Sequence, residues 1–323
     1  MSLSRWLLIA LALLAAAVSG VMLGTLPLSP AEVLEGALGT GTPTQVSVVQ
    51  ALRLPRVLLA ALVGAGLGAA GAALQGATRN GLAEPYLLGV SGGAAVGAVI
   101  AVALKAAAPM VPVAGFAGAL TAVALTLVVA RAAGGRGDPR IVLMAGVVVG
   151  AFANAAIMVA LANVEANVVR GALWWMMGSV ADASWAQVRL LSGFVAAGIL
   201  ILLLLGRSID MLALGEEAAA GMGVDVARVA IGVYVAAALL AAGTVAAAGL
   251  VGFIGLLVPH LVRMGGARTH RSIIASAALA GATLVVVADL VARIARPPAE
   301  LPLGAITAII GVPFFMARLR RLA

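Results

Sequence analysis

Two short strings in this chain resemble catalytic motifs. Gly89-Val90-Ser91-Gly92 has the form of an intramembrane serine motif, and Gly135-Arg136-Gly137-Asp138 that of an intramembrane aspartyl motif. A serine nucleophile needs a base within hydrogen-bond reach. The one histidine inside an apolar run is His260, beside Pro259, far along the chain; His270 lies ten positions later, off any common metal-binding face. Asp138 has no second aspartate to pair with. The single lysine, Lys105, stands in Ala-Leu-Lys-Ala, so there is no phosphate-cradling GxxxxGK[ST] loop. With no cysteines, thiolate nucleophiles, disulfides and thiolate metal sites are excluded. The expectation is a non-enzyme with no catalytic residues and no metal or cofactor of its own.

Two other groupings suggest binding. Leu214, Gly215, Glu216, Glu217, Ala218 and then Gly223 read as a short amphipathic helix followed by glycine punctuation, within a polar segment at about 207–228. Such an element suits docking on a nucleotide-hydrolysing partner, or a solvated loop. Arg53, Arg56, Arg293 and Arg296 form the second grouping, at the ends of apolar runs.

These residues must be positioned by membrane helices. Of 323 residues, 63% are hydrophobic and only 10% charged, and the mean hydropathy is +1.18. A soluble domain is roughly 25% charged, so a water-soluble enzyme is excluded. Runs free of Asp, Glu, Lys and Arg cover 6–28, 57–78, 85–104, 106–130, 141–164, 190–206, 229–262, 272–288 and 301–317. They do not alternate polar and apolar residues, which favours helices over a barrel. The run at 229–262 would make a helix of about 51 Å against a core of about 30 Å, so it divides near Ala248–Gly252. The predicted fold is all-α, one polytopic membrane domain over 1–323 with ten transmembrane helices.

An even count puts both termini on one side, with Arg5, Arg318, Arg320 and Arg321 in the cytoplasm as the positive-inside rule requires. Thirteen of the 20 Lys/Arg then lie inside and seven outside. Arg53, Arg56, Arg293 and Arg296 run against that rule, which motivates a specific role for them, with phosphate-headgroup anchoring as the alternative. Arg5 ahead of the first run, with Ala15, Ala17 and Ser19 after it, also has the form of a secretory leader, but its removal would break the parity. Ser29-Pro30-Ala31-Glu32 predicts a capped outer helix. Gly64 with Gly68, and Gly89, Gly93 and Gly97, predict close helix packing. Asn154, Met158 and Asn163 fall on roughly one face of the fifth span.

Taken together, Arg53-Leu-Pro-Arg56, Leu74-Gln75-Gly76, the run Arg79–Pro85, Leu88–Ala94, Trp175–Ser179, Leu214–Ala219, Gly252–Arg263 and Ala299–Gly304 resemble the FecCD-type permeases of ATP-binding-cassette importers. Those carry cobalamin, haem and ferric siderophores. Asn80-Gly81 departs from the Asn-Pro of many relatives. The resemblance implies a multi-pass protein of the bacterial inner membrane. It implies a second copy of the chain, two cytoplasmic ATPases holding ATP and Mg, and a periplasmic substrate-binding protein, with no nucleic acid. It further implies that arginines matching Arg53, Arg56 and Arg293 meet glutamates of the binding protein, with Arg296 beside them, and that the fifth span lies at the dimer axis. Asn154, Met158, Asn163 and Arg170 are then pathway candidates. Arg170 near Trp174, Trp175, Met176 and Met177 inclines the substrate towards haem over a ferric siderophore or cobalamin. An ion-coupled secondary transporter, which would need ionisable groups at the midplane, and an intramembrane serine protease are the competing classes.

Overall fold

The computed structural model describes residues 2–135, 138–162 and 164–319. Within them the regular structure is helical: α1 (Leu3–Met22), α2 (Pro30–Leu38), α3 (Pro43–Val46), α4 (Leu54–Thr78), α5 (Val90–Ala103), α6 (Met110–Ala132), α7 (Pro139–Leu161), α8 (Ala166–Met177), α9 (Trp185–Ala213), α10 (Glu216–Gly221), α11 (Val226–Ala248), α12 (Ile254–Met264), α13 (His270–Ile294) and α14 (Leu303–Leu319). A π-helical stretch, Ser47–Arg53, joins α3 to α4, and a 3-10 turn, Pro85–Leu88, precedes α5.

Among the described residues, seven helical stretches are long and apolar enough to cross a bilayer. The other three expected spans appear as α5, α12 and α14, which are apolar but shorter. The expected capped helix is α2: the Ser29 N–H donates to Glu32 Oε2 (2.7 Å), the Glu32 N–H donates to Ser29 Oγ (3.3 Å), and Pro30 takes the first position.

Helix α4 is apolar around its whole circumference and buried on nearly every side, as such a helix must be. It packs against α13, α9, α11 and α12. Its Gly64 and Gly68 lie against the backbone carbonyls of Gly281 and Ala277 on α13, and Gly281 returns the contact onto Gly64. Likewise Gly93 and Gly97 of α5 lie against Gly118 and Ala114 of α6. Both glycine pairs therefore permit close backbone approach. Gly89 does not belong to that face: it precedes α5 with φ 85° and ends the 3-10 turn.

The long apolar run breaks where expected. Helix α11 ends at Ala248, Gly249 takes φ 68°, and α12 begins at Ile254 after Phe253 at φ 69°. Helix α12 is not a second full span: at 11 residues it is about 17 Å long. Irregular backbone among apolar helices is tolerable only if its polar groups find partners. Here they do. The Ser179 N–H donates to Ala248 O (2.8 Å). The Tyr86 hydroxyl donates to Val251 O (3.2 Å) and accepts from the Val251 N–H (3.1 Å). The Phe253 N–H donates to Glu84 Oε1 (3.0 Å). Gln75 Nε2 donates to the carbonyls of Gly255 and Leu256, both at 3.2 Å.

Candidate functional site

Beside the C-terminal end of α4, a short α10 follows Gly215, whose φ of 119° only glycine adopts readily, and Gly223 (φ 84°) closes the turn after it. Leu212 and Ala219 anchor this segment in the core. Leu214 (71% exposed) and Met222 (50%) flank it with uncovered apolar surface. Glu216 and Glu217 are exposed, and Glu216 accepts a 3.1 Å bond from Arg79 Nη2 at the end of α4. Leu214, Gly215, Glu216, Glu217 and Ala218 form one wall of a cleft of about 930 Å³. Asp138, Pro139 and Arg140 at the start of α7, and Thr78, Arg79 and Asn80 at the end of α4, line it as well. The connection 79–84 thus links this cleft to the α11–α12 break through Glu84.

The rim at the start of α4 gathers five interacting charged residues, Arg53, Arg56, Asp289, Arg293 and Glu300, with Arg296 three positions beyond Arg293. Arg53, Arg56 and Arg293 are buried there, whereas Arg296 is exposed. Arg53 donates through Nη1 to the carbonyls of Val21 (2.8 Å) and Met22 (2.9 Å), and through Nη2 to Leu26 O. Arg293 donates to Gly20 O (2.9 Å) and Leu23 O (3.2 Å). Both guanidinium groups therefore satisfy the terminal carbonyls of α1, where helix ends leave acceptors unpaired and favour positive charge. Arg56 carries two carboxylates. Its Nε and Nη2 donate to Asp289 (3.0 and 2.8 Å to Oδ1), and its Nη1 and Nη2 donate to Glu300 Oε1 and Oε2, both at 2.8 Å. Arg293 Nε sits 3.2 Å from Asp289 Oδ2, near enough for attraction but out of hydrogen-bond alignment. Bonding to Arg56 lowers the Glu300 pKa from the ordinary carboxylate value. Asp289 and Glu300 were not among the expected site residues; the one local signal was the i,i+4 spacing of Asp289 and Arg293.

The third region is α7 with α8. Val142, Ala145, Gly146, Val149, Ala153 and Ile157 pack inward, leaving a face that carries Met144, Val148, Phe152, Asn154 and Met158 exposed. Asn154 and Met158 thus share a face, while Asn163 lies outside the described residues. Helix α8 is an addition to the expected spans. It exposes Arg170, Leu173, Trp174 and Met177, buries Ala172, and turns Trp175 onto Gly115 of α6.

The two histidines stand apart from each other and have different partners. His260 Nδ1 lies 3.2 Å from Leu256 O with its ring edge-on to Phe315, and His270 meets Asp210 at 2.7 Å.

Comparison with known proteins points the same way along almost the whole chain. A family model described as the FecCD transport family matches residues 8–321. The Fe(3+)-citrate import system permease protein YfmE of Bacillus subtilis is 34% identical over 316 residues, covering 97% of this chain and 94% of that relative. The vitamin B12 import system permease protein BtuC of Vibrio cholerae is 39% identical over 98% of this chain and 94% of its own length. The hemin transport system permease protein HmuU of Yersinia pestis is 36% identical over 82% of this chain and 80% of its own. Among solved structures, a metal-chelate type ABC transporter in an inward-facing conformation superposes with a TM-score of 0.88 at 28% identity, covering 97% of each chain.

Proposed function

Because the chain belongs to the FecCD transport family, and is therefore a multi-pass permease subunit of an ATP-binding-cassette importer that works with ATPase and substrate-binding partners, we propose that its substrate is haem. The observation that carries this reading is the exposed face of α8. Arg170, Trp174 and Met177 are spaced by four and three residues, so they share one side of the helix. A guanidinium beside an aromatic and thioether surface suits a planar amphiphile with carboxylates: a propionate pairs with the cation and the ring lies on the tryptophan. The relatives named for iron-citrate and cobalamin import keep those two chelates as the competing substrates. Reconstitution with the importer's own ATPase and binding protein, followed by uptake of haem, a ferric siderophore and cobalamin, tests the reading. Haem uptake lowered by Arg170→Ala supports it; uptake of another chelate alone, or an unaffected variant, overturns it.

The same reading assigns roles to the three regions. The segment around α10 docks the ATPase, with Glu216 and Glu217 as charged anchors and Leu214 and Met222 as apolar ones. The outer rim receives the binding protein, with Arg53, Arg56, Arg293 and Arg296 as its cationic determinants; in this conformation the first three are turned inward. Two copies of the chain meet across the α7 face, enclosing a pathway that includes Asn154, Met158 and Arg170. A polar Asn154 on that exposed face is costly against lipid and better accommodated beside a second copy or a solvated path. Ten crossings with both termini cytoplasmic, in a bacterial inner membrane, complete the assignment. The shorter α5, α12 and α14 then complete crossings together with their flanking irregular segments.

A further inference from the structure

Arg56 is held between two carboxylates that differ in one respect. The Asp289 side chain is 3% exposed and that of Glu300 is 35% exposed. Asp289 belongs to α13 and lies beside Arg293 as well, so it is fixed by a rigid element. Glu300 belongs to the connection between α13 and α14 and faces the outer edge of the guanidinium. Three arginines and two acids leave the cluster with one positive charge in excess. Arg53 and Arg293 bond backbone carbonyls of the α1 end and are not free to exchange without uncapping that helix. Arg56 alone presents a two-pronged fork to an acid that solvent can reach.

Resting on the reading of this rim as the docking site for a substrate-binding protein, we propose that Glu300 is an exchangeable internal ligand. It occupies the outward fork of Arg56 while the rim is free, and a carboxylate of the binding protein takes its place on docking. Asp289 stays in position and fixes the guanidinium plane. The fork is thus already desolvated and oriented when the partner arrives, which lowers the ordering cost of binding. The exchange has a structural consequence. Beyond Glu300 the same connection enters α14, where the Leu303 N–H donates to Gly178 O (3.1 Å) and Gly304 packs on the carbonyls of Met177 and Leu250. Release of Glu300 frees that connection and acts on the end of α8 and on the α11–α12 break. Docking is thereby conveyed from the rim to the elements beside the pathway.

The test uses the full importer in nanodiscs and its own binding protein without substrate. Glu300→Gln removes the internal competitor and is expected to tighten docking about five-fold or more. Arg296→Glu, at an exposed position, tests the docking reading separately and is expected to weaken binding. If Arg296→Glu weakens docking while Glu300→Gln leaves it unchanged or weaker, exchange is overturned and docking stands. If Arg296→Glu has no effect, the docking reading itself falls. Should the Glu300 variant fail to fold, spin labels on cysteines at positions 299 and 31 of the otherwise wild-type, cysteine-free chain decide the matter. Their separation shifts on docking if Glu300 is displaced, and an unchanged separation overturns the exchange.

Discussion

Arg56 and Glu300 are 244 residues apart in the chain and meet fork to fork, through two hydrogen bonds of 2.8 Å each. The pair ties the start of α4 to the connection that leads into α14. Behind it, Asp289 bonds the other edge of the same guanidinium from α13. The start of α4, α13 and the connection into α14 are thereby fastened at one point, so this guanidinium holds the fold together.

Asp289→Asn leaves Arg56 and Arg293 buried beside a neutral group. Breaking a buried pair from one side costs about 3 kcal/mol or more. A clear fall in the thermal unfolding midpoint of the purified permease in detergent is expected, and an unchanged midpoint would show that the pair contributes nothing.

Glu300 imposes a pH dependence of known sign. Its folded-state pKa is depressed, chiefly by the bond from Arg56. Its contribution is therefore complete above the unfolded-state value near 4.5 and is lost as pH falls through the lower, folded one. Wild type should lose stability relative to Glu300→Gln on acidification below about pH 5, with the two curves parallel above it. Parallel curves throughout would remove Glu300 from the account.

Gly64→Ala and Gly281→Ala each place a methyl group against a backbone carbonyl of the facing helix. Since backbone must move to accommodate it, about 1–3 kcal/mol of destabilisation is expected from either substitution. Gly150→Ala, where an added methyl meets open space, is the matched control. Equal midpoints for all three variants would refute close approach of α4 and α13.

Charge reversal of both Glu216 and Glu217 to lysine should separate ATP hydrolysis from uptake. ATPase activity of the assembled importer is expected to persist while transport falls at least about ten-fold. Retained transport in that double variant would exclude these acids from coupling.

Cysteines at Asn154 and Met158, in a chain that has none of its own, are expected to crosslink two subunits under oxidation. Both occupy the exposed face of α7. Failure of either position to form a dimer would place that face against lipid.

Much of this protein was legible from local pattern. The apolar runs located the helices, because each run must match the thickness of a bilayer and satisfy its own backbone. The glycines at 64 and 68 and at 93 and 97 marked close packing, because lack of a side chain is a property of the residue itself. Ser29 with Glu32 fixed a helix start, and Gly223 marked the end of α10, for a related reason: the groups involved lie close together in the chain. That the longest run divides came from its length, and the place of the division from Gly249 and Gly252, which permit a tight reversal.

Only the tertiary structure decided the rest. It limited α12 to 11 residues, because the carbonyls and N–H groups of the break find partners on Tyr86, Glu84 and Gln75, residues about 170 positions away. It turned Arg53, Arg56 and Arg293 inward, where sequence position alone had set them at the outer ends of spans, and it supplied Asp289 and Glu300 as their counter-charges. Hydropathy and helical spacing record what a residue is and what stands a few places along. Which guanidinium meets which carboxylate depends on the rotation and crossing of helices far apart in the chain, and these are settled by packing at contacts such as Gly64 on Gly281.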